Sequence, residues 1–206
     1  MVVGDITLLV LLCIRVTLLS DSPYDFGLFE NERLLRKVFE EDQQMTIALE
    51  NVEKKHGSNV LKKFLESQLI SQNVSYIQHP VNVYHMLKKY AVIFPQIVNK
   101  TESEDLKDHI RLTHKRTKHL AGLSHDDYHK CLNGLVHMIH SFDLDMEQFS
   151  RGVIPPLQHG NGDQALVAAK PLMADDLVNI AVQAVQFGYL GTAAAVLKVG
   201  DIRNLQ

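Results

Sequence analysis

From Leu28 to Val52 apolar residues recur at heptad spacing. Leu28, Leu35 and Leu49 share one heptad position with Asp42 as its break, and Val38, Met45 and Val52 share the position three residues on with Asn31 as its break. The intervening positions are rich in Glu, Lys, Arg and Gln, so the stretch predicts a long amphipathic helix. His56-Gly57-Ser58 ends it, with Gly57 placed as a C-terminal cap and Ser58 as the next N-cap. A second helix follows, with Val60, Leu61, Phe64, Leu65 and Leu69 on one face. This is the pattern of an antiparallel helical hairpin or a short coiled coil. So few heptads fit packing within one chain as well as pairing between two.

Further along, His79 to Tyr90 opens with Pro80 at a first helical position, and Val83, Met86, Leu87 and Tyr90 recur at helical spacing. Ile93, Phe94 and Ile97 extend the face, while Pro95 predicts a kink or an end. Residues 99–122 are polar, basic and poor in apolar residues, which predicts an exposed helix or an ordered connection. Ser124 and Asp127 form a capping-box pattern before the amphipathic run Tyr128, Cys131, Leu132, Leu135, Val136, Met138 and Ile139. A short segment from Leu144 ends at Gly152. Residues 153–169, holding Pro155, Pro156, Gly160 and Gly162, read as a linker. After it, Leu177, Ile180, Ala181, Ala184, Gly188, Leu190, Ala193 and Leu197 fall at the small and apolar sites of a tetratricopeptide-like helix pair over 170–206. A single pair leaves an apolar face that needs a cover. The fold class is therefore all-α.

The N-terminus changes the picture. Ile6 to Leu19 is apolar apart from Thr7, Arg15 and Thr17 and meets polar Ser20 to Pro23, so residues 1–20 read as a signal peptide, with a buried first helix as the alternative. The run is shorter than the roughly 20 residues of a transmembrane span, and no second one follows, so no membrane span remains after its removal. Asn73-Val74-Ser75 and Asn99-Lys100-Thr101 are N-glycosylation acceptors. Both features place the chain in the endoplasmic reticulum lumen or outside the cell. With Cys13 lost, Cys131 stands alone, as a buried thiol or an intermolecular bridge. A formal net charge of −3 gives no electrostatic reason for a nucleic-acid partner.

Candidate chemistry is sparse. Eight of the eleven histidines lie between His109 and His159, and the pairs His125/His129 and His137/His140 have spacings that share a helical face. Neither pair has a third metal ligand at recognisable spacing. His125-Asp126-Asp127 fits the His-x-Asp element of non-haem iron sites, but it begins a helix, whereas that triad needs a distant His returned by strands. There is no phosphate loop, no nucleophile elbow and no Cys-x-x-Cys. The expectation is no catalytic residue and no metal site in these residues.

Three ordered segments carry a resemblance. His79-Pro80-Val81-Asn82 with Tyr84 two residues on, Phe142-Asp143-Leu144-Asp145 through Phe149-Ser150-Arg151-Gly152, and Ala174-Asp175-Asp176 are together similar to the N-terminal part of the collagen prolyl 4-hydroxylase α subunit. The resemblance covers roughly residues 25–200. It implies that residues 25–152 are a helical dimerisation region, in which Leu28, Leu35, Val38, Met45, Leu49 and Val52 would join α-like chains as a homodimer or heterodimer. It implies that 170–206 begins a peptide-substrate-binding domain that takes proline-rich, collagen-like chains, and that protein disulfide isomerase is a partner. Where that family places tyrosines, this chain has Val185, Leu190 and Gly191, with Tyr189 displaced; Tyr189 is the candidate peptide-binding residue. Fe(II), 2-oxoglutarate and ascorbate belong to a separate C-terminal catalytic domain of that family. The alternative to a non-catalytic scaffold is therefore that these residues are part of a full procollagen-proline 4-dioxygenase.

Overall fold

The computed structural model describes residues 31–66, 74–155 and 165–204, with side chains to residue 200. Residues 1–20, Leu28, Asn73 and the centre of the 153–169 segment lie outside the described residues.

The first helix, α1 (Glu32–His56), explains both breaks in its heptad pattern. Asn31 is the N-cap, its side chain accepting from the Leu34 amide at 3.0 Å. Asp42 faces inward and holds a buried cation, described below. At the other end Gly57 takes φ 65° and its N–H donates to the Glu53 carbonyl at 2.7 Å, the left-handed cap its type predicts. Leu35, Val38, Phe39, Met45, Thr46 and Leu49 are buried. Phe39 and Thr46 widen the stripe beyond a coiled-coil seam to that of a helix in a globular core.

What covers that stripe is the chain itself. Helix α1 packs against α2 (Asn59–Glu66), the 3-10 turn Val74–Gln78, α5 (Glu104–Lys115) and α6 (Lys118–Ala121). The seam expected to join two chains through Leu35, Val38, Met45 and Leu49 is thus filled internally. Met45 and Leu49 have no solvent exposure at all, and Val52 is half-buried. The α5–α6 stretch, read from its polarity as an exposed helix or an ordered connection, is helical and part of that cover. Its few apolar residues are spaced to meet α1, and Leu106, Ile110 and Leu120 are all buried. Glu41 on α1 locks α6 in place, accepting from the His119 and Leu120 amides at 2.7 and 2.9 Å and from His119 Nδ1 at 2.7 Å.

Pro95 does not end the helical run; it sits in the first turn of a helix that continues to Lys100. Helices α3 (Pro80–Lys88) and α4 (Phe94–Lys100) are joined by a π turn over Lys89–Ile93, where the Phe94 N–H reaches back five residues to the Lys89 carbonyl. The wide turn lets the run pass the residue that has no N–H. Helix α7 (His125–Ser141) starts with the Ser124–Asp127 capping box and buries Cys131, and α8 (Met146–Ser150) follows.

The 153–169 segment is held at both ends rather than free. Strand β1 (Val153–Ile154) pairs antiparallel with β2 (Leu166–Val167), and Gly152 accepts from the Ala168 amide at 2.7 Å. Gly152 sits at φ 78°, and a Cβ there would stand 2.6 Å from that of Ala168, so both the turn and the close approach require glycine. The last helices, α9 (Ala174–Gln186) and α10 (Leu190–Asn204), fold on each other across Gly188, with α9 on α7 and α10 on α8. Leu177, Ile180, Ala181, Ala184 and Ala193 join one core continuous with that of α1–α8. No described helix is long and apolar enough to cross a membrane.

Candidate functional site

The junction between α9 and the helices before it is the most polar buried region. Asp176, 1% exposed, is its centre. It accepts from Tyr84 Oη at 2.9 Å and from the Met173 amide at 2.8 Å, pairs with Lys88, and stands 3.4 Å from His85 Nε2. Asp175 shares the Lys88 ammonium. The hydroxyls form a directed chain: Asn179 Nδ2 donates to Tyr128 at 3.4 Å, Tyr128 meets Tyr84 at 3.2 Å, and Tyr84 donates to Asp176. Burial opposes the charge on Asp176, but hydrogen bonds from His85, Lys88 and the Met173 amide, with the Lys88 charge, outweigh it and hold the carboxyl well below its ordinary range. Burial and the Asp176 charge push the Tyr84 hydroxyl far up, so it stays a donor.

A second buried pair ties α1 to the π turn. Lys89 Nζ and Tyr90 Oη each lie 2.6 Å from Asp42 Oδ1, and the ammonium stands 4.9 Å from the centre of the Tyr90 ring. This is why a carboxylate interrupts an apolar heptad: removing it would strand a buried ammonium. Lys88 and Lys89 thus grip different carboxylates, 176 and 42. They line a cleft with Tyr76, His85 and Lys170 between α1, α3 and the start of α9.

The residues that carried the resemblance join segments. His79 caps α3, its Nδ1 accepting from the Val81 amide at 3.2 Å. Asn82 donates to the Tyr76 carbonyl at 2.9 Å and accepts from the Ala169 amide at 2.9 Å, bridging the turn before α3 to the segment after β2. Asp145 caps α8 through the Glu147 and Gln148 amides. Burial drives the His79 imidazole down to about 4, against the pull of the Gly152 and Leu166 carbonyls, so it is neutral near pH 7.

Tyr189 is half-buried in the turn after α9. Its ring stacks on His140 with centroids 3.8 Å apart and 14° between planes, Phe187 stands 5.8 Å away, and its hydroxyl meets His137 Nδ1 at 3.2 Å. The His137/His140 pair thus supports an aromatic ring. His125 and His129 pack edge to face, and Asp127 is engaged by the Ser124 amide and hydroxyl at 2.9 and 2.6 Å. Among the described residues the His-x-Asp element gathers no third ligand, so the donor set of a facial iron triad is not present around it.

Of the other candidates, Asn99 is exposed at the end of α4, while Thr101 is buried and donates to the Ile97 carbonyl at 2.9 Å. Burial pushes the Cys131 thiol well above its ordinary range, where it is inert. The sequence reading missed the Asp176 and Asp42 pairings. Their signal was present as charges inside apolar periodicity: Asp42 at a seam position, and adjacent Lys88 and Lys89 inside a buried helical run.

The chain is a helical body whose polar residues lock elements together, with one helix pair fixed to its side. The chain matches the family described as the prolyl 4-hydroxylase alpha-subunit, N-terminal region, over residues 33–156, more than half its length. It belongs to that family. No curated protein and no solved structure matches it. The matched region is the N-terminal one.

Proposed function

We propose that this chain is a non-catalytic assembly and recognition module of the prolyl 4-hydroxylase α-subunit type. It works in the endoplasmic reticulum lumen or after secretion, bringing α-like chains together and offering α9–α10 to proline-rich segments. The observation that carries this reading is the fixed presentation of the helix pair. The Asp176 junction and the continuous core lock its inner face to the family region. Its outer face keeps Val178, Val182 and Val185 about half exposed at helical spacing, with Leu190 more so. Beside Leu190 in sequence, the Tyr189 ring is held by His140, a ready flat surface for a polyproline helix.

Because the α1 seam is filled within the chain, self-association would use other surfaces, and the outer valine stripe is the candidate. Sedimentation velocity at micromolar concentration, with titration of a (Pro-Pro-Gly) repeat peptide, tests both parts. A dimer disrupted by Val182→Glu, and saturable peptide binding lost in Tyr189→Ala, are expected. A monomer that binds no peptide would overturn the proposal. The runner-up, that these residues belong to a full procollagen-proline 4-dioxygenase, draws on the same match to an N-terminal region. It predicts a downstream His-x-Asp, a distal His and a Lys in the same transcript.

A further inference from the structure

Three side chains with metal-binding chemistry come together across two helices. His56 ends α1, and Asp105 and His109 lie in the first two turns of α5. One ligand atom from each residue lies within 4.8 Å of the other two. His56 Nδ1 stands 3.9 Å from Asp105 Oδ2, His109 Nδ1 stands 3.5 Å from Asp105 Oδ1, and the two imidazole centroids are 5.0 Å apart.

We propose that His56, Asp105 and His109 bind one divalent transition-metal ion, Zn2+ fitting best, which cross-links the end of α1 to the start of α5. Two imidazoles and one carboxylate match the donor preference of Zn2+, Ni2+ and Cu2+ and are poor in the oxygens that Ca2+ and Mg2+ require. His109 Nδ1 also lies 2.8 Å from the Asp105 carbonyl oxygen, so ligation through Nδ1 exchanges that contact for the metal. His56 turns Nδ1 to the Asp105 carboxylate at 3.9 Å, and its other ring nitrogen, Nε2, is buried and makes no hydrogen bond among the described residues. The carbonyls at the C-terminal end of α1 add negative potential at that point. Lys54 and Lys55, beside His56 in the last turn, are both exposed, where water screens them.

The distances require a small closure. Ligand atoms around tetrahedral zinc, with bonds near 2.0–2.1 Å, stand about 3.3 Å apart. Asp105, with 72% of its side chain exposed, and His109, with 39%, have the freedom to close the difference. Three protein ligands leave a fourth position for water. His109 also lines the cleft between α1 and α5, so the ion would be reachable from solvent.

Titration of the purified chain with Zn2+ by calorimetry, and with Co2+ followed by its visible absorption, tests the site. One equivalent should bind, Zn2+ should raise the thermal midpoint, and His56→Gln or His109→Ala should each weaken binding tenfold or more. Asp105→Asn, at an exposed position, serves as the variant whose folding is secure and should also weaken it. His129→Ala should leave binding unchanged. The proposal is overturned if wild type takes up no metal at millimolar Zn2+, or if one-equivalent binding survives in the His56→Gln/His109→Ala double variant or in Asp105→Asn.

Discussion

The body formed by α1–α8 and the α9–α10 pair share one core, yet they treat their apolar residues differently. In the body most apolar positions of the long helices are buried, with Ile47 and Leu112 exposed, and the buried stripe of α1 is covered by the chain's own later helices. In the pair only one side is so used. Leu177, Ile180, Ala181 and Ala184 face inward, while Val178, Val182 and Val185 on the same helix face solvent. The pair is held by polar contacts as much as by packing, since Asp176 anchors α9 to α3 through Tyr84 and Lys88. The body therefore covers most of the α1 stripe from within one chain, and the pair keeps more of its large apolar side chains exposed.

The largest effect is expected at the anchor. Asp176→Ala strands the Tyr84 hydroxyl and leaves the half-buried Lys88 ammonium only the exposed Asp175, and should cost about 3 kcal/mol in urea unfolding. It should also speed proteolysis between residues 155 and 173; unchanged cleavage would show that packing alone holds the pair. Met45→Ala, inside the body, should cost about 3 kcal/mol by opening a cavity under α1. A dimer seam would instead make that loss depend on protein concentration, which unfolding at two concentrations detects.

Acid should loosen the joint. The folded His79 holds its proton only below about 4 against an ordinary 6.5, so between these values the unfolded chain binds a proton that the folded one does not. Stability should fall by about 3 kcal/mol as pH drops through that window. His79→Asn keeps the cap and should flatten that acid limb. Asp176 acts in the same direction at lower pH: its depressed carboxyl stabilises fully above the ordinary carboxylate range and loses that contribution below it. The smallest effect is expected at Val182→Glu, within about 0.5 kcal/mol of wild type for the isolated chain, because the side chain is 52% exposed. A larger loss there would mean that the outer face is already covered.

The sequence carried the all-helical class and most local punctuation. Gly57, Ser124 with Asp127, Pro80 and Gly152 act where their side chains and backbone preferences place them, because caps depend only on residues a few positions apart. The same locality explains the misreadings. Residues 104–121 are polar on average, and only contact with α1 reveals that Leu106, Ile110 and Leu120 suffice to bury a helix. The seam of α1 reads alike whether its cover comes from another chain or from residues 60 positions later.

Determined by sequence alone, then, were the helices, their caps and the family signature, since each depends on short-range periodicity or on residue order. Tertiary structure decided what fills the α1 seam, why Asp42 and Asp176 sit among apolar neighbours, and which three side chains meet at His56. Those are meetings of residues some 45 to 90 positions apart, and nothing in local spacing encodes them.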